Sequence, residues 1–357
     1  MTTGVFWRVL ALSASILCCQ SLNAVEVGQS TEYGCCNGLP NISARSLPQC
    51  NTFNVFTDLL VWSAQESGTE NWAQIYGPNS ADVLDLSFGW DVGFRIGIDY
   101  GMSHDQWDSQ LVYTWFRTKG NEHANANPGE IVASSFLGNF YIGNANGAAD
   151  SGGTYQKASI QWTILFNMFD WDLGRNYWVS SALSLRPFVG VKGGWIHQTI
   201  HSKWEDAIAS ARIPNADAFG VATENLKNNF WGLGPSAGLN TKWRFVELCS
   251  QSFSLFGDFS GALLFGRWTF GDVYKNEVPE EVTVTSKTIN GGASMLRTFM
   301  GLGWDADWNT DQFHFAVRLG YEAQFWLDQL QFYSFNEGRL VNELTLQGGA
   351  IDFRFDF

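Results

Sequence analysis

"SFGWDVGFRIGIDYGM", residues 87–102, alternates without a break. Phe88, Trp90, Val92, Phe94, Ile96, Ile98, Tyr100 and Met102 share one parity. Ser87, Gly89, Asp91, Gly93, Arg95, Gly97, Asp99 and Gly101 share the other, and Leu84, Asp85 and Leu86 extend both sets backward. Successive side chains of a strand point to opposite faces, so the stretch reads as a strand. It outruns the five or six residues of an ordinary strand. A soluble sheet can hide such an apolar face in a core. Bulky aromatics opposite small and charged residues suit a wall between lipid and a confined lumen better. The even face is expected to meet lipid and the odd face to line the lumen.

Composition agrees. The 357 residues include 17 Trp, 28 Phe and 37 Gly but only 16% charged residues, with 45% hydrophobic content and a mean hydropathy of -0.11. A barrel allows ordinary hydropathy because only alternate residues touch lipid. The net charge of -14 argues against nucleic acid and anionic surfaces as partners. Residues 1–24 read as a secretory signal: Arg8 in the n-region, an apolar stretch from Val9 to Cys19, and small-residue cleavage near Ala24. Leu17 before Cys18 fits a lipoprotein site poorly. Residues 25–52 are expected to form a periplasmic-side N-terminal segment with Cys35, Cys36 and Cys50, and residues 53–357 an outer-membrane barrel.

The alternation recurs to the last residue. In "KASIQWTILFNMF" (157–169), Ala158, Ile160, Trp162, Ile164, Phe166 and Met168 oppose Lys157, Ser159, Gln161, Thr163 and Asn167. Short connections fall near 102–106, 179–183, 247–251 and 308–311; long polar ones fall near 64–82, 119–154, 202–226, 272–287 and 332–341. Short turns on one side and long loops on the other are the pattern of an outer-membrane barrel, with the long loops outside. The expected fold is all-β, an antiparallel transmembrane barrel with ten strands counted in a range of ten to sixteen; residues 136–142 are a candidate for an additional hairpin. Ile351, Phe353, Phe355 and Phe357 form one face of the final strand, the pattern of a barrel-assembly signal. Outer-membrane lipids and the barrel-assembly machinery are the expected partners.

"LSLRPFVGVKGGWIHQ" (183–198), "NFWGLGPSAGLNTKW" (229–243), "FSLFGDFSGALLFG" (253–266) and "LTLQGGAIDFRFDF" (344–357) resemble the Legionella-type major outer-membrane proteins, a family with chlamydial relatives. The resemblance is strongest from about residue 155 onward. It implies an abundant porin-like barrel with a structural and host-facing role, and it brings no catalytic residues.

Chemistry inside the barrel is expected from Asp91, Arg95, Asp99, Arg186, Lys192, Arg297, Arg318, Glu322 and Arg354, which fall on polar faces. A charged ring in an open bore sets ion selectivity. The alternative is that these groups pair and plug a narrow barrel, with Arg318 and Glu322 on one strand face as a candidate pair. "GPSAG" (234–238) matches a nucleophile elbow, which has meaning only on a strand–turn–helix. Within an alternating strand, Ser236 reads instead as a small lumen residue. His104, His123, His197, His201 and His314 show no metal-ligand spacing. No cofactor is expected. Cys35, Cys36, Cys50 and Cys249 belong on the short-turn side of an exported protein, where disulfides within or between chains are expected. The expectation is therefore a non-enzymatic porin-like channel for small hydrophilic solutes. A closed structural or adhesive barrel is the alternative.

Overall fold

The computed structural model describes residues 51–102, 106–134, 137, 154–206, 220–248, 250–276, 281–285, 288–308, 313–334 and 338–356. Ten long strands build the wall: β1 (Thr52–Glu66), β2 (Asp91–Gly101), β3 (Trp107–Asn125), β4 (Lys157–Arg175), β5 (Leu183–Glu205), β6 (Val221–Leu248), β7 (Gln251–Asn276), β8 (Ile289–Trp308), β9 (Phe313–Ser334) and β10 (Gly338–Asp356). Each pairs antiparallel with its neighbours in sequence, and β1 pairs with β10 to close the barrel. Closure removes the sheet edge, which in hydrocarbon would leave unpaired backbone groups. Both ends of the wall's chain, Thr52 and Asp356, lie at the short-turn end.

The eleven residues of β2 suffice to cross a bilayer, whereas β6 has 28 and β7 has 26. The longer strands continue past the membrane, and the outward residues show where. On β3, Trp107, Leu111, Tyr113 and Trp115 face out, followed by Arg117, Lys119, Asn121 and His123. The backbone register joins Trp115, Asn167, Trp195, Trp231 and Arg267 into one cross-strand row over β3–β7. Below this row the outer wall is apolar: Trp171, Val189, Leu233 and Leu263 are all strongly exposed. Above it the outer wall is polar.

The interior changes polarity at a similar level, in the opposite sense. Toward the short-turn end it is charged. Toward the loop end it holds Trp62, Phe116, Trp162, Phe166, Phe230, Trp268 and Trp326, all fully buried. Here the sequence expectation needs correction. The apolar face Ile160–Met168 of β4 points into the barrel, because this part of β4 stands clear of lipid and only the interior is dry. Phe88 and Leu86 also turn inward, against the parity that carries Trp90 outside; Phe88 bridges to Gly120 and packs on Trp162 at 6.2 Å. The alternating run is thus cut at Asp91, where β2 begins.

Short strands at Ala73–Tyr76, Ala81–Leu84, Ile131–Ala133 and Thr154–Tyr155 make a separate small sheet from the first two long connections. Trp72 beside it and Tyr155 within it pack on Trp204 of β5, at 6.0 and 5.1 Å, and join the interior cluster. The connection expected at 332–341 shortens to 335–337, since β9 and β10 extend beyond the membrane. The candidate hairpin at 136–142 lies outside the described residues apart from Leu137, which is buried.

Candidate functional site in the barrel interior

Inward parity gathers the charged candidates in two linked groups. In the first, Arg95 of β2 donates from Nη1 to Asp58 Oδ2 at 2.6 Å and from Nη2 to Glu322 Oε1 at 2.7 Å. Arg297 of β8 donates to the same Glu322 carboxylate, Nε to Oε1 at 2.7 Å. In the second, Arg318 of β9 bridges Asp258 at 3.0 Å and Asp352 at 2.7 Å, and Arg354 donates to Asp352 at 3.1 Å. Around them, Arg186 pairs with Asp108 and Lys192 with Asp170. Asp99 accepts from Asn54 at 3.1 Å, and Asp91 accepts from Thr118 Oγ1 at 2.7 Å.

Arg318 and Glu322 do not pair with each other. Four residues along a strand place two side chains about 13 Å apart, beyond the reach of their tips, so each finds partners on other strands. Sequence reasoning named the cations but left Asp58, Asp108, Asp170, Asp258 and Asp352 off the list of candidates. Asp58 carried a signal: it shares parity with Phe56, Leu60 and Trp62, all inward.

Two glycines make room for this packing. Phe56 lies across Gly97, its registered partner, where an added Cβ would run into the ring. That places the ring under the Arg354 guanidinium at 4.8 Å. Gly348 adopts φ +156° against β1, where a Cβ would collide with the Val61 carbonyl.

Above the charged groups the bore is crossed by aromatic rings. Phe166 of β4 meets Trp326 of β9 at 5.5 Å, edge to face, and Trp162 meets Phe332 at 6.0 Å. β4 and β9 are five strands apart either way round the barrel, so these contacts join opposite walls. The reach comes from an irregularity in β9. Trp326 pairs with Leu344 and Leu330 with Asn342, leaving Leu327, Asp328 and Gln329 opposite Glu343 alone. Asp328 takes φ 57°, and Gln329, Leu330, Gln331 and Phe332 are buried inside. The bulge is tied to three other strands. Gln198 of β5 donates to Gln329 Oε1 at 3.0 Å and to Glu66 at 3.1 Å, Trp268 donates to the Gln329 carbonyl at 2.6 Å, and Asn228 donates to the Gln331 carbonyl.

Below this layer a polar cavity of about 120 Å³ is lined by Asp58, Arg95, Asp172, Arg186, Lys192 and Arg297, among others. Ser236 also lines it, on an unbroken strand. The local backbone is not a strand–turn–helix, so the elbow reading fails. His314 sits at the short-turn end between Asp356, at 2.7 Å, and Asp305, at 3.3 Å. At the opposite end, seven residues beyond Trp231 on β6, burial and the neighbouring Asp272 push the Glu224 carboxyl well above its ordinary range; it accepts from Ser202 at 3.2 Å. Among the described residues no group of three or more His, Cys, Asp and Glu has metal-holding geometry. Cys35, Cys36, Cys50, Cys249, His104 and Phe357 lie outside the described residues.

Residues 47–357 match the family model of the Legionella pneumophila major outer membrane protein precursor. The chain belongs to this family. It is accordingly a protein of the bacterial outer membrane, with lipid around the apolar part of its wall. No curated protein matches the chain. Among solved structures, the Escherichia coli outer membrane protease OmpT is 13% identical over 88% of this chain and 100% of its own, with a TM-score of 0.41. A major outer membrane protein from Thermus thermophilus is 9% identical over 86% of this chain and 100% of its own, TM-score 0.30. A FadL homologue of Pseudomonas aeruginosa is 11% identical over 86% and 90%, TM-score 0.28.

Proposed function

We propose that the chain is a closed structural barrel of the outer membrane, rather than the porin-like channel for small hydrophilic solutes expected first. The observation that carries this reading is the pair of contacts Phe166–Trp326 and Trp162–Phe332, which join opposite walls. Beneath them the charged groups of the interior are held in ion pairs with one another, as they would be in a plug and not in the ion-selective ring of an open bore. The plug is costly to move, because opening it would expose buried rings and separate buried ion pairs.

In this reading the barrel works as an anchored wall element, and its loop end is the surface presented outside, including to a host. Catalysis has no part in it, nor has a cofactor. The C-terminal face of Ile351, Phe353, Phe355 and Phe357 serves recognition by the barrel-assembly machinery. Cys35, Cys36, Cys50 and Cys249 form disulfides at the short-turn end, within the chain or to neighbouring copies, and so stiffen the envelope.

Planar-bilayer recording of residues 25–357 tests the proposal. The expected record is free of steady conductance steps for a barrel shown to be folded by its heat-dependent gel mobility. Steady unitary steps would restore the channel reading; Arg95→Glu and Arg297→Glu should then shift ion selectivity.

A further inference from the structure

The acidic balance of the chain conceals a sorted distribution of charge. On the outer wall of β3–β7, the Trp115–Trp195–Trp231 row ends in Arg267. The next register row along the outward parity carries Arg117 and His197, and the one after it Lys119 and Lys227. Two rows further lie His123, Lys203 and Lys275, and Lys157 stands at the rim. Seven of the chain's 21 lysines and arginines thus stand on this face of five strands. The outward strand positions there hold one carboxylate, Glu205, which Lys203 engages. Lys157 reaches Asp206 at 3.5 Å. Arg117, Lys119 and Lys227 are exposed and make no ion pair among the described residues.

A depression of about 770 Å³ lies on the same wall, lined by Asn121, Gln161, His201, Lys203, Asn225 and Lys275 among others, with the carboxylates Glu122 and Glu224 also in its lining. Polar amide and imidazole groups there suit a hydrated, hydroxyl-rich ligand. Tryptophans favour the level of the membrane interface. Basic residues next to that level attract anionic headgroups. With the loop end facing outward, the headgroups at this level belong to the outer leaflet.

We propose that the β3–β7 wall above the tryptophan row binds the phosphates of outer-leaflet glycolipid through Arg117, Lys119, Lys227 and Arg267, with the sugar seated in the depression. The partner is fixed by complementarity. Cations that make no ion pair among the described residues meet phosphate, the apolar wall directly below meets the acyl chains, and one molecule spans both. The wall therefore holds a lipid collar on one side of the barrel, and local charge overrides what the net charge of the chain suggests.

The test titrates the full barrel, folded in detergent, with bis-phosphorylated lipid A and with the same lipid after enzymatic dephosphorylation, binding being read by native mass spectrometry. Wild type should favour the phosphorylated form by roughly tenfold or more. The triple variant Arg117→Gln/Lys119→Gln/Lys227→Gln should lose that preference, while Arg244→Gln at the short-turn end keeps it. Equal binding of both lipids by wild type overturns the proposal and needs no variant. So does a folded triple variant that retains the preference. Displacement of the lipid by a soluble sulfated polysaccharide of equal affinity also overturns it, by showing a wall that reads polyanions in general.

Discussion

Arg95 of β2 and Glu322 of β9 are joined by two parallel hydrogen bonds, of 2.7 and 3.0 Å, although their strands lie three apart in the barrel. Both side chains are buried, and Glu322 is also the partner of Arg297. Removing the carboxylate would leave two guanidinium groups short of a counter-charge in the interior. Glu322→Ala should therefore destabilise the folded barrel by about 3–5 kcal/mol. Urea titration of the folded form in lipid, read by gel mobility, checks this. Glu322→Gln, which keeps the hydrogen-bonding oxygen, should lose less. Equal stability of Glu322→Ala and wild type would contradict the account.

The aromatic layer gives a prediction of a different kind. Trp326→Ala removes one of the rings that join opposite walls and should cost about 3–5 kcal/mol through lost burial and the cavity left behind. Trp171→Ala, on the lipid face and 56% exposed, should cost far less. The contrast between the two variants in one titration is the measurement.

Asp328 holds the bulge with a left-handed backbone, a conformation that asparagine and glycine tolerate and β-branched residues do not. Asp328→Val should lose about 1–2 kcal/mol, and Asp328→Asn should stay near wild type. If Val and Asn behave alike, the positive φ is not what shapes the bulge.

Gly97→Val should expel the Phe56 ring from its place beneath Arg354. The expected result is a lower folded yield, measured as the heat-modifiable fraction after refolding. Gly271→Ala, with no atom near the added Cβ, is the control and should fold normally.

Glu224 binds a proton in the folded state that the unfolded chain releases near the ordinary carboxylate pKa, about 4.3. Its folded pKa is raised, so its stabilising contribution is complete below that value and is lost as pH rises toward the folded one. Thermal stability should fall as pH rises above the ordinary carboxylate range, and Glu224→Gln should flatten this slope. A variant with the wild-type slope would place the titration elsewhere.

Much of the fold was legible in alternation alone. Ten strands, their antiparallel order and the side of the short turns follow from where parity starts and stops. The inward placement of Arg95, Lys192 and Glu322 follows from the same parity. What parity cannot supply is the identity of the medium on each side. Phe94 faces lipid as its alternating pattern suggests, but Trp162 carries the same signature and faces the core. The difference arises because β4 outruns the bilayer, and beyond it the interior is the apolar side. Nor could parity reveal the β9 bulge, since three residues opposite one leave the sequence pattern merely irregular. The ion-pair partners were hidden for a related reason: charges on an inward face pair across the barrel, between residues as distant in sequence as Arg95 and Glu322.

The reversal of polarity at the Trp115–Trp231 row also fixes how deeply the protein sits. A shift inward by two residues of strand would draw Arg117 into hydrocarbon, and an opposite shift would lift Trp115 and Trp231 into water. The barrel thus carries its own waterline, written into β3, β6 and β7 as the point where the outer residues change from aromatic to polar and basic.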